Sequence, residues 1–377
     1  MERIYLDHAA TSPVHPKAGE AMLAVLTETY GNPSSIHSFG RDSRRIVDEA
    51  RTIIAKTINA GFNDVIFTGS GTEADNMAIF GAARSKKSGH IITSVIEHHA
   101  VLHACEALQK DGFDVTYLPV NEEGLVSVSD VQKALRNDTI LVSIMYGNNE
   151  TGAIQPINDI GRLLADHPAL FHVDAVQAYG ILPIDVKELN VDFLAVSGHK
   201  INGPKGIGVL FVKPGTPFAP ILYGGEQERK RRAGTENTAA IAGVAAAAEI
   251  AENTREERAA RYTEMKQLFM DTLAQNGASF SSNGKVEQSL PHVLNLFFPG
   301  TDVEAFLVNL DMAGIAASSG SACTAGSIEP SHVLTAMFGA DSEKLRSSIR
   351  FSFGLNNTKE QIEQAALKTA EIAKRLL

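Results

Sequence analysis

The sequence predicts an α/β fold in which helices wrap a mainly parallel sheet, and two observations lead to this prediction. Short apolar runs rich in Val, Ile and Phe recur over residues 60–215 and mostly do not alternate with polar residues, which is typical of strands buried on both faces. Amphipathic stretches such as Ala100–Lys110 and Ile157–Ala165 separate several of these runs. Such strand–helix alternation indicates parallel strands joined by helices.

Seven apolar runs are the predicted strands of this sheet. They are DVIFTG (64–69), HIITSV (90–95), DVTYLP (114–119), TILVSIM (139–145), ALFHVD (169–174), DFLAVS (192–197) and GVLFVK (208–213). Two successive helices are predicted after residue 235, and Gly277 is predicted to cap the second. Beyond them HVLNLFF and SSIRFSF predict strands, and Thr358 with Gln361 predicts the capping box of a last helix.

The length of 377 residues fits two domains. We expect a large domain over residues 14–250. A smaller α+β domain is expected from residues 1–13 and 251–377, and it would carry a loop of small residues, SSGSACTAGS, at 318–327.

Composition excludes several classes of protein. A net charge of −10 argues against broad nucleic-acid binding, and the run Arg229–Arg232 is predicted to be a solvated loop or a small-anion site instead. The sequence contains no apolar run long enough to cross a membrane, and no signal peptide is expected. Two distant cysteines do not form a disulfide framework, so the cytoplasm is the expected compartment.

Polar residues follow five of the predicted strands, where ligands of parallel sheets bind. Gly71 and Thr72 open a helix after the first strand and would suit an anion. The other four strands are followed by Glu97-His98-His99, Asn148-Asn149-Glu150, Asp174 with Gln177, and Ser197-Gly198-His199-Lys200. A metal site on His98, His99 and His103 is the first alternative, but no carboxylate or cysteine pattern completes it, and no metal is predicted.

Pyridoxal phosphate explains this set of residues better than a metal. That cofactor needs a lysine for its Schiff base, a carboxylate on its ring nitrogen and a cradle for its phosphate. Lys200 directly follows a buried strand, where desolvation lowers the pKa of an amine. Asp174 would keep the ring nitrogen protonated.

Longer motifs make a family resemblance visible. They are YLDHAATSP, YGNPSSIHSFGR, FTGSGTEADN, EHHAVL, NNETGAIQPI, HVDAVQA, SGHKINGPKGIG, RRAGTEN, SSGSAC and SSIRFSFG, and they cover residue 5 to about 354. On these motifs the chain resembles the cysteine desulfurases of the NifS/IscS type, within the class V aminotransferase-like enzymes of fold type I.

The resemblance implies a role for each matching residue. Lys200 would be the Schiff-base lysine, and His98 would stack on the cofactor ring and move protons. Asp174 would pair with the ring nitrogen, and Gln177 would donate to the ring hydroxyl. The implied phosphate cradle is Gly71, Thr72, Ser197 and His199, with Thr235 reaching the site of a neighbouring subunit in a homodimer. The implied carboxylate-binding residues are Asn149 and Arg350, since an arginine fork binds a carboxylate through two hydrogen bonds.

Cys323 lies in the loop of small residues, where a thiol could swing in to take sulfur and out to deliver it. Cys105, on an amphipathic helix, is predicted to be an inert packing residue. Two departures from the family pattern lie beside the site: Gly224-Gly225-Glu226-Gln227-Glu228 stands where GGGQE is common, and Asn202 stands where an aromatic residue is common. Both concern the packing of the local loops.

The resemblance implies an enzyme that removes sulfur from L-cysteine, giving L-alanine and a persulfide on Cys323. An acceptor protein, either an iron–sulfur scaffold or a tRNA-thiolating enzyme, would then receive the sulfur. A selenocysteine lyase or another class V aminotransferase-like enzyme is the alternative, although a transaminase needs no mobile cysteine. A catalytically dead scaffold is a further alternative, but no predicted catalytic residue is missing.

Overall fold

The structure is a computed structural model, and it describes residues 3–319 and 330–377. Its largest element is a seven-stranded sheet in the order β2-β8-β7-β6-β5-β3-β4. The strands are β2 (Val65–Thr68), β3 (His90–Ser94), β4 (Asp114–Leu118), β5 (Thr139–Ser143), β6 (Leu170–Asp174), β7 (Phe193–Ser197) and β8 (Gly208–Val212). All seven predicted strands are therefore confirmed. Strand β8 is antiparallel to both of its neighbours, and the other pairs are parallel.

Helices cover both faces of this sheet, because its strands are apolar on both sides. Most of the sheet's residues are fully buried, and they divide between two hydrophobic clusters, one on each face. The helices of this part are α1 (Pro16–Glu28), α2 (Ser38–Thr57), α3 (Gly71–Lys86), α4 (His99–Lys110), α5 (Val128–Ala134), α6 (Ile157–Leu163) and α7 (Thr238–Asn253).

A separate hydrophobic cluster lies among the remaining elements. These are β1 (Ile4–Tyr5), α8 (Arg255–Gln275), β9 (Ser281–Ser282), β10 (Val293–Phe297), α9 (Val303–Met312), β11 (Ile315–Ala316), α10 (His332–Phe338), β12 (Ser348–Ser352) and α11 (Lys359–Arg375). The buried side chains of α10 instead form a small cluster with Ile96 and Met145. Strand β10 pairs with β9 and β12 in an antiparallel sheet, and β1 pairs with β11 in parallel. The boundaries of the two domains stay a prediction.

The predicted helix ends are confirmed. Thr358 accepts a hydrogen bond from the Gln361 amide, and the Gln361 side chain accepts one from the Thr358 amide. Gly277 follows α8 with a φ of 69°, a left-handed conformation that suits glycine. No helix among the described residues is long and apolar enough to span a membrane.

Candidate active site

Five strands of the large sheet end at one cavity of about 300 Å³. Strands β2, β3, β5, β6 and β7 run in the same direction, so their carboxyl ends lie at the same edge. Ten predicted site residues line the cavity: Gly71, Thr72, His98, Asn149, Asp174, Gln177, Ser197, His199, Lys200 and Arg350. Thr235 is exposed and does not line it. Cys323 lies outside the described residues, as does most of the loop at 318–327.

The Lys200 amine projects into the cavity from a short turn that follows β7. Its Nζ donates hydrogen bonds to the backbone carbonyls of Ala9 at 2.5 Å and Ala10 at 2.8 Å. Within the described chain no carboxylate forms an ion pair with it. Burial, followed by the charge of Arg350, lowers the pKa of this amine to about 8. Lys200 is therefore far more often a neutral nucleophile near pH 7 than an ordinary lysine is.

Asp174, at the end of β6, is one of the two carboxylates that line the cavity. One of its oxygens accepts a hydrogen bond from the Val176 amide at 2.9 Å. Burial raises its pKa to about 6, although that hydrogen bond opposes the rise. Gln177 lies three residues further on, and its side chain donates to the Ala9 carbonyl at 3.0 Å. A cation placed against Asp174 would offset the cost of burying this charge.

His98 is held in one orientation at the start of α4. Its Nδ1 accepts a hydrogen bond from the Ala100 amide at 3.1 Å, so the proton of the neutral ring is on Nε2. Burial and then the charge of Lys200 lower its pKa to about 4, which keeps the ring neutral. The preceding residue, Glu97, is fully buried, and burial raises its pKa to about 8, so it adds no second negative charge near Asp174.

The amino end of α3 forms a cradle at another wall. Ser70 caps this helix by accepting a hydrogen bond from the Glu73 amide. This cap does not use the amides of Gly71 and Thr72. A Cβ on Gly71 would lie 2.9 Å from Val176 Cγ2 and 3.1 Å from Ser197 Cβ. Glycine is therefore needed for this close packing, and a helix start of this kind binds anions such as phosphate.

Arg350 enters the cavity from β12 and is almost fully buried. Its guanidinium donates to the Asn149 carbonyl at 2.9 Å and to an oxygen of Asp7 at 2.8 Å. Its Nε is buried without a hydrogen-bond partner among the described residues. An unsatisfied N–H on a buried guanidinium suits a carboxylate ligand.

Sequence reasoning missed the wall formed by residues 7–12. Asp7 pairs with Arg350, the carbonyls of Ala9 and Ala10 hold Lys200, and the Thr11 hydroxyl lies 3.1 Å from Nδ1 of His199. The motif YLDHAATSP carried this signal, but it served only for the resemblance. Asp75, which also lines the cavity, was missed because it lies inside a helix and not at a strand end.

The two departures from the family pattern are accommodated by local hydrogen bonds. Asn202 has a φ of 65°, a conformation that asparagine tolerates, and its side-chain Nδ2 donates to the Pro13 carbonyl at 2.9 Å. Glu228 also has a positive φ, of 45°, and forms a buried ion pair with Arg51 at 2.7 Å. Both loops are therefore ordered by contacts of their own.

The clustered histidines do not form a metal site in the described structure. The rings of His99 and His103 stack with centroids 5.0 Å apart, and His332 lies 4.9 Å from His99. Nowhere in residues 3–319 and 330–377 are three His, Cys, Asp or Glu side chains arranged to hold a metal ion.

The cavity residues fit pyridoxal phosphate. Three features of the described residues match that cofactor. The Lys200 amine, which forms no ion pair with a carboxylate there, suits its aldehyde, the buried Asp174 suits its ring nitrogen, and the closely packed helix start at Gly71 suits its phosphate. A volume of about 300 Å³ suits a small-molecule site.

Comparisons with known proteins agree with this geometry. The family model described as aminotransferase class-V matches residues 4–365. A protein of Bacillus subtilis (strain 168) named putative cysteine desulfurase IscS 1 is 60% identical over 100% of both chains. The cysteine desulfurase IscS of Dictyoglomus turgidum is 46% identical over 95% of this chain and 91% of its own.

Solved structures share the fold. A NifS-like protein superimposes with a TM-score of 0.93 at 34% identity, over 100% of both chains. A structure described as SspA in complex with cysteine has a TM-score of 0.83 at 37% identity, over 93% of this chain and 98% of its own. The chain therefore belongs to the class-V aminotransferase family and, within it, to the cysteine desulfurases.

Proposed function

We propose that the protein uses pyridoxal phosphate to take the sulfur from L-cysteine, releasing L-alanine. The observation that carries this proposal is the Lys200 amine. Among the described residues its hydrogen-bond acceptors are two backbone carbonyls, its pKa is lowered to about 8, and it lines the same cavity as Asp174. When bound, the cofactor withdraws electrons from the amino acid attached to it.

Lys200 would hold the cofactor and afterwards move a proton. With a pKa of about 8, about a tenth of the amine is neutral at pH 7, compared with well under a thousandth at the ordinary value of 10.5. Asp174 would hold the ring nitrogen in its protonated form. His98, whose Nε2 carries a proton, would present its ring to the cofactor and donate that proton.

Arg350 and Asn149 would bind the substrate carboxylate. Two of the guanidinium N–H groups already bond to Asp7 and to the Asn149 carbonyl, so Nε and the remaining N–H groups are those left for a ligand. This arrangement would orient the substrate with its amino group towards Lys200. A lysine in place of Arg350 could not supply the two parallel hydrogen bonds.

The Cys323 thiolate would accept the sulfur. The C–S bond of the substrate breaks, an S–S bond forms on Cys323, and the β-carbon of alanine takes a proton. The substrate carbon is reduced as the sulfur is oxidised, so no external oxidant is needed. Contacts of the described residues on either side of the loop support this role for Cys323. Ser318 and Arg350 exchange backbone hydrogen bonds of 2.6 and 3.1 Å, and Ser331 donates to Glu150 at 2.5 Å.

Sulfide and alanine release from L-cysteine, measured with cofactor and a reductant, tests this function. We expect activity in the wild type, loss in Cys323→Ala, and full activity in Cys105→Ala. Cys105 is the matched control because burial raises the pKa of its thiol to about 12, which leaves it unreactive. Equal activity in wild type and Cys323→Ala would refute the persulfide step, and no activity in the cofactor-loaded wild type would refute the substrate.

We also propose a homodimer in which Thr235 completes the partner's phosphate cradle. Thr235 is exposed, and apolar side chains are exposed in the stretch that includes α1, among them Leu26 at 64%, Tyr30 at 73% and Ile36 at 92%. Exposed apolar side chains grouped in this way are typical of an interface.

Mixing two inactive variants tests this arrangement. Lys200→Ala and Thr235→Ala are co-expressed with different tags, and the mixed dimers are isolated. If Thr235 acts across the interface, one site of each mixed dimer contains both wild-type residues, and about half of the wild-type activity returns. No recovery would show that Thr235 acts within its own chain, and the control is Thr235→Ala mixed with itself.

The sulfur acceptor would be a protein, either an iron–sulfur scaffold or a tRNA-thiolating enzyme, in the cytoplasm. Transfer of labelled sulfur from the loaded enzyme to each purified acceptor distinguishes the two. Transfer to neither would refute both.

A further inference from the structure

The side-chain amide of Gln177 is held at both of its ends. Its Nε2 donates to the Ala9 carbonyl at 3.0 Å, and its Oε1 lies 3.3 Å from Nε2 of His292. Gln177 and His292 are only 7% and 8% exposed. His292 directly precedes β10 and Gln177 follows β6, so this contact joins two separate sheets across 115 residues of the chain.

The polarity of these hydrogen bonds follows from the Ala9 carbonyl. A carbonyl can only accept, so the amide nitrogen of Gln177, and not its oxygen, faces Ala9. The amide oxygen is therefore turned towards His292, and this oxygen can also only accept. The His292 ring must then carry a proton on Nε2, which it donates to Gln177.

The His292 ring is neutral, so it has a single proton to place. Burial, followed by the charge of Lys266, lowers its pKa to about 3. With the proton on Nε2, Nδ1 is an acceptor. Nδ1 is buried without a hydrogen-bond partner among the described residues, and His292 lines a cavity of about 20 Å³ that has room for one water molecule. A water molecule that donates to Nδ1 would favour the same tautomer.

The turn before β10 fixes the place of the His292 ring. Lys266, on α8, is 3% exposed and donates to the Ser289 hydroxyl and to the Leu290 carbonyl, both at 2.8 Å. The His292 carbonyl accepts a hydrogen bond from the Phe353 amide at 2.9 Å. The backbone that presents His292 is therefore tied to α8 and to the end of β12.

We propose that His292 is a positioning residue for the cofactor: by donating to Oε1 it fixes the Gln177 amide, so that the second N–H of this amide is held for the ring hydroxyl of pyridoxal phosphate. The Ala9 carbonyl uses one of the two amide hydrogens, and Gln177 lines the candidate active site, so the other hydrogen is left for a ligand. With the Ala9 bond alone, the amide could turn about its last side-chain torsion, which is broad in glutamine. This inference rests on the cofactor of the proposed function, but not on the sulfur chemistry.

Equilibrium binding of two ligands to the full-length, cofactor-free protein tests this role. Pyridoxamine phosphate has the ring hydroxyl and forms no Schiff base with Lys200, and its deoxy analogue lacks only that hydroxyl. The wild type should bind the first ligand about tenfold more tightly than the second, and in His292→Leu this preference should fall to about twofold or less. Equal weakening of both ligands in His292→Leu would overturn the proposal, since a merely structural role affects both alike. A wild type without the preference would also overturn it.

Three further variants separate positioning from general packing. His292→Gln puts an N–H donor in place of Nε2–H and should restore the preference. The matched control His90→Leu also removes a fully buried histidine, but the His90 ring contacts the hydroxyls of Thr139 and Thr116, so the preference should stay. In Gln177→Met there is no amide to hold, so adding His292→Leu should not change the preference further. A further change there would overturn the link between the two residues.

Nitrogen-15 magnetic resonance of the histidine-labelled wild type tests the hydrogen-bond polarity even if no His292 variant folds. The His292 ring can be assigned through its neighbour Tyr262, whose ring centroid lies 6.4 Å away. We expect a protonated Nε2 and a bare Nδ1, and the opposite tautomer would overturn the proposal. A wild type that shows the ligand preference and this tautomer but releases no alanine from L-cysteine would refute the proposed function and leave this inference intact.

Discussion

Asp174→Asn should stabilise the cofactor-free protein while it abolishes the activity. A buried carboxylate costs stability wherever the folded state must hold it ionised. Burial raises the pKa of Asp174 from 3.8 to about 6, so the folded state binds this proton more tightly than the unfolded state does. Asparagine keeps the acceptor for the Val176 amide but carries no charge.

The size and the sign of this effect follow from the pKa. Below about pH 3 the carboxyl is protonated in both states, so the variant and the wild type should be equally stable. Between pH 4 and 6 only the unfolded state loses its proton, and the wild type loses stability as the pH rises. Each unit of pKa shift is worth about 1.4 kcal/mol. The rise in the pKa of Asp174 from 3.8 to about 6 therefore lowers the free energy of unfolding of the wild type by about 3 kcal/mol above pH 6.

Urea unfolding followed by circular dichroism measures this difference, since the chain contains no tryptophan. We expect Asp174→Asn to exceed the wild type in free energy of unfolding by about 3 kcal/mol at pH 7.5 and by only about 0.5 kcal/mol at pH 4. The control Asp159→Asn changes an exposed carboxylate on α6 and should stay within about 0.5 kcal/mol at both pH values. A variant less stable than the wild type at pH 7.5, or a difference independent of pH, would refute the reasoning.

Three further predictions concern other parts of the site and its support. Glu228→Gln should lower the free energy of unfolding by about 3 kcal/mol, because it leaves Arg51 buried without its counter-charge; urea unfolding checks this, and a loss under 1 kcal/mol would contradict it. Gly71→Ala should weaken cofactor binding by about tenfold or more in an absorbance titration, since the new methyl group has no space. The control Gly19→Ala, in α1 with nothing within 4 Å, should bind the cofactor normally. The rate of cofactor capture by the cofactor-free protein should rise with pH to a plateau with a midpoint near 8, the pKa of Lys200, and a midpoint above 10 would contradict this assignment.

Much of the fold could be predicted from the sequence because its signals are local. Runs of consecutive apolar residues are compatible with strands buried on both faces, and all seven became strands of one sheet. The capping box at Thr358 depends on residues three positions apart, so the structure confirms it. Strand direction is not a local property, and β8 is antiparallel to its neighbours although its sequence resembles the other strands.

By itself the sequence determined which chemical groups the site contains. The carboxyl ends of parallel strands lie at one edge of a sheet, so the residues that follow β2, β3, β5, β6 and β7 could be expected to meet there. Only the tertiary structure decided their electrostatic state. Lys200 meets the carbonyls of Ala9 and Ala10 across about 190 residues, and Arg350 meets Asp7 across 343. Burial and the charge of Arg350, which lies 150 residues away in the chain, lower the pKa of Lys200, because solvent exclusion and Coulomb interactions depend on which groups are close in space and not on which are close in the chain.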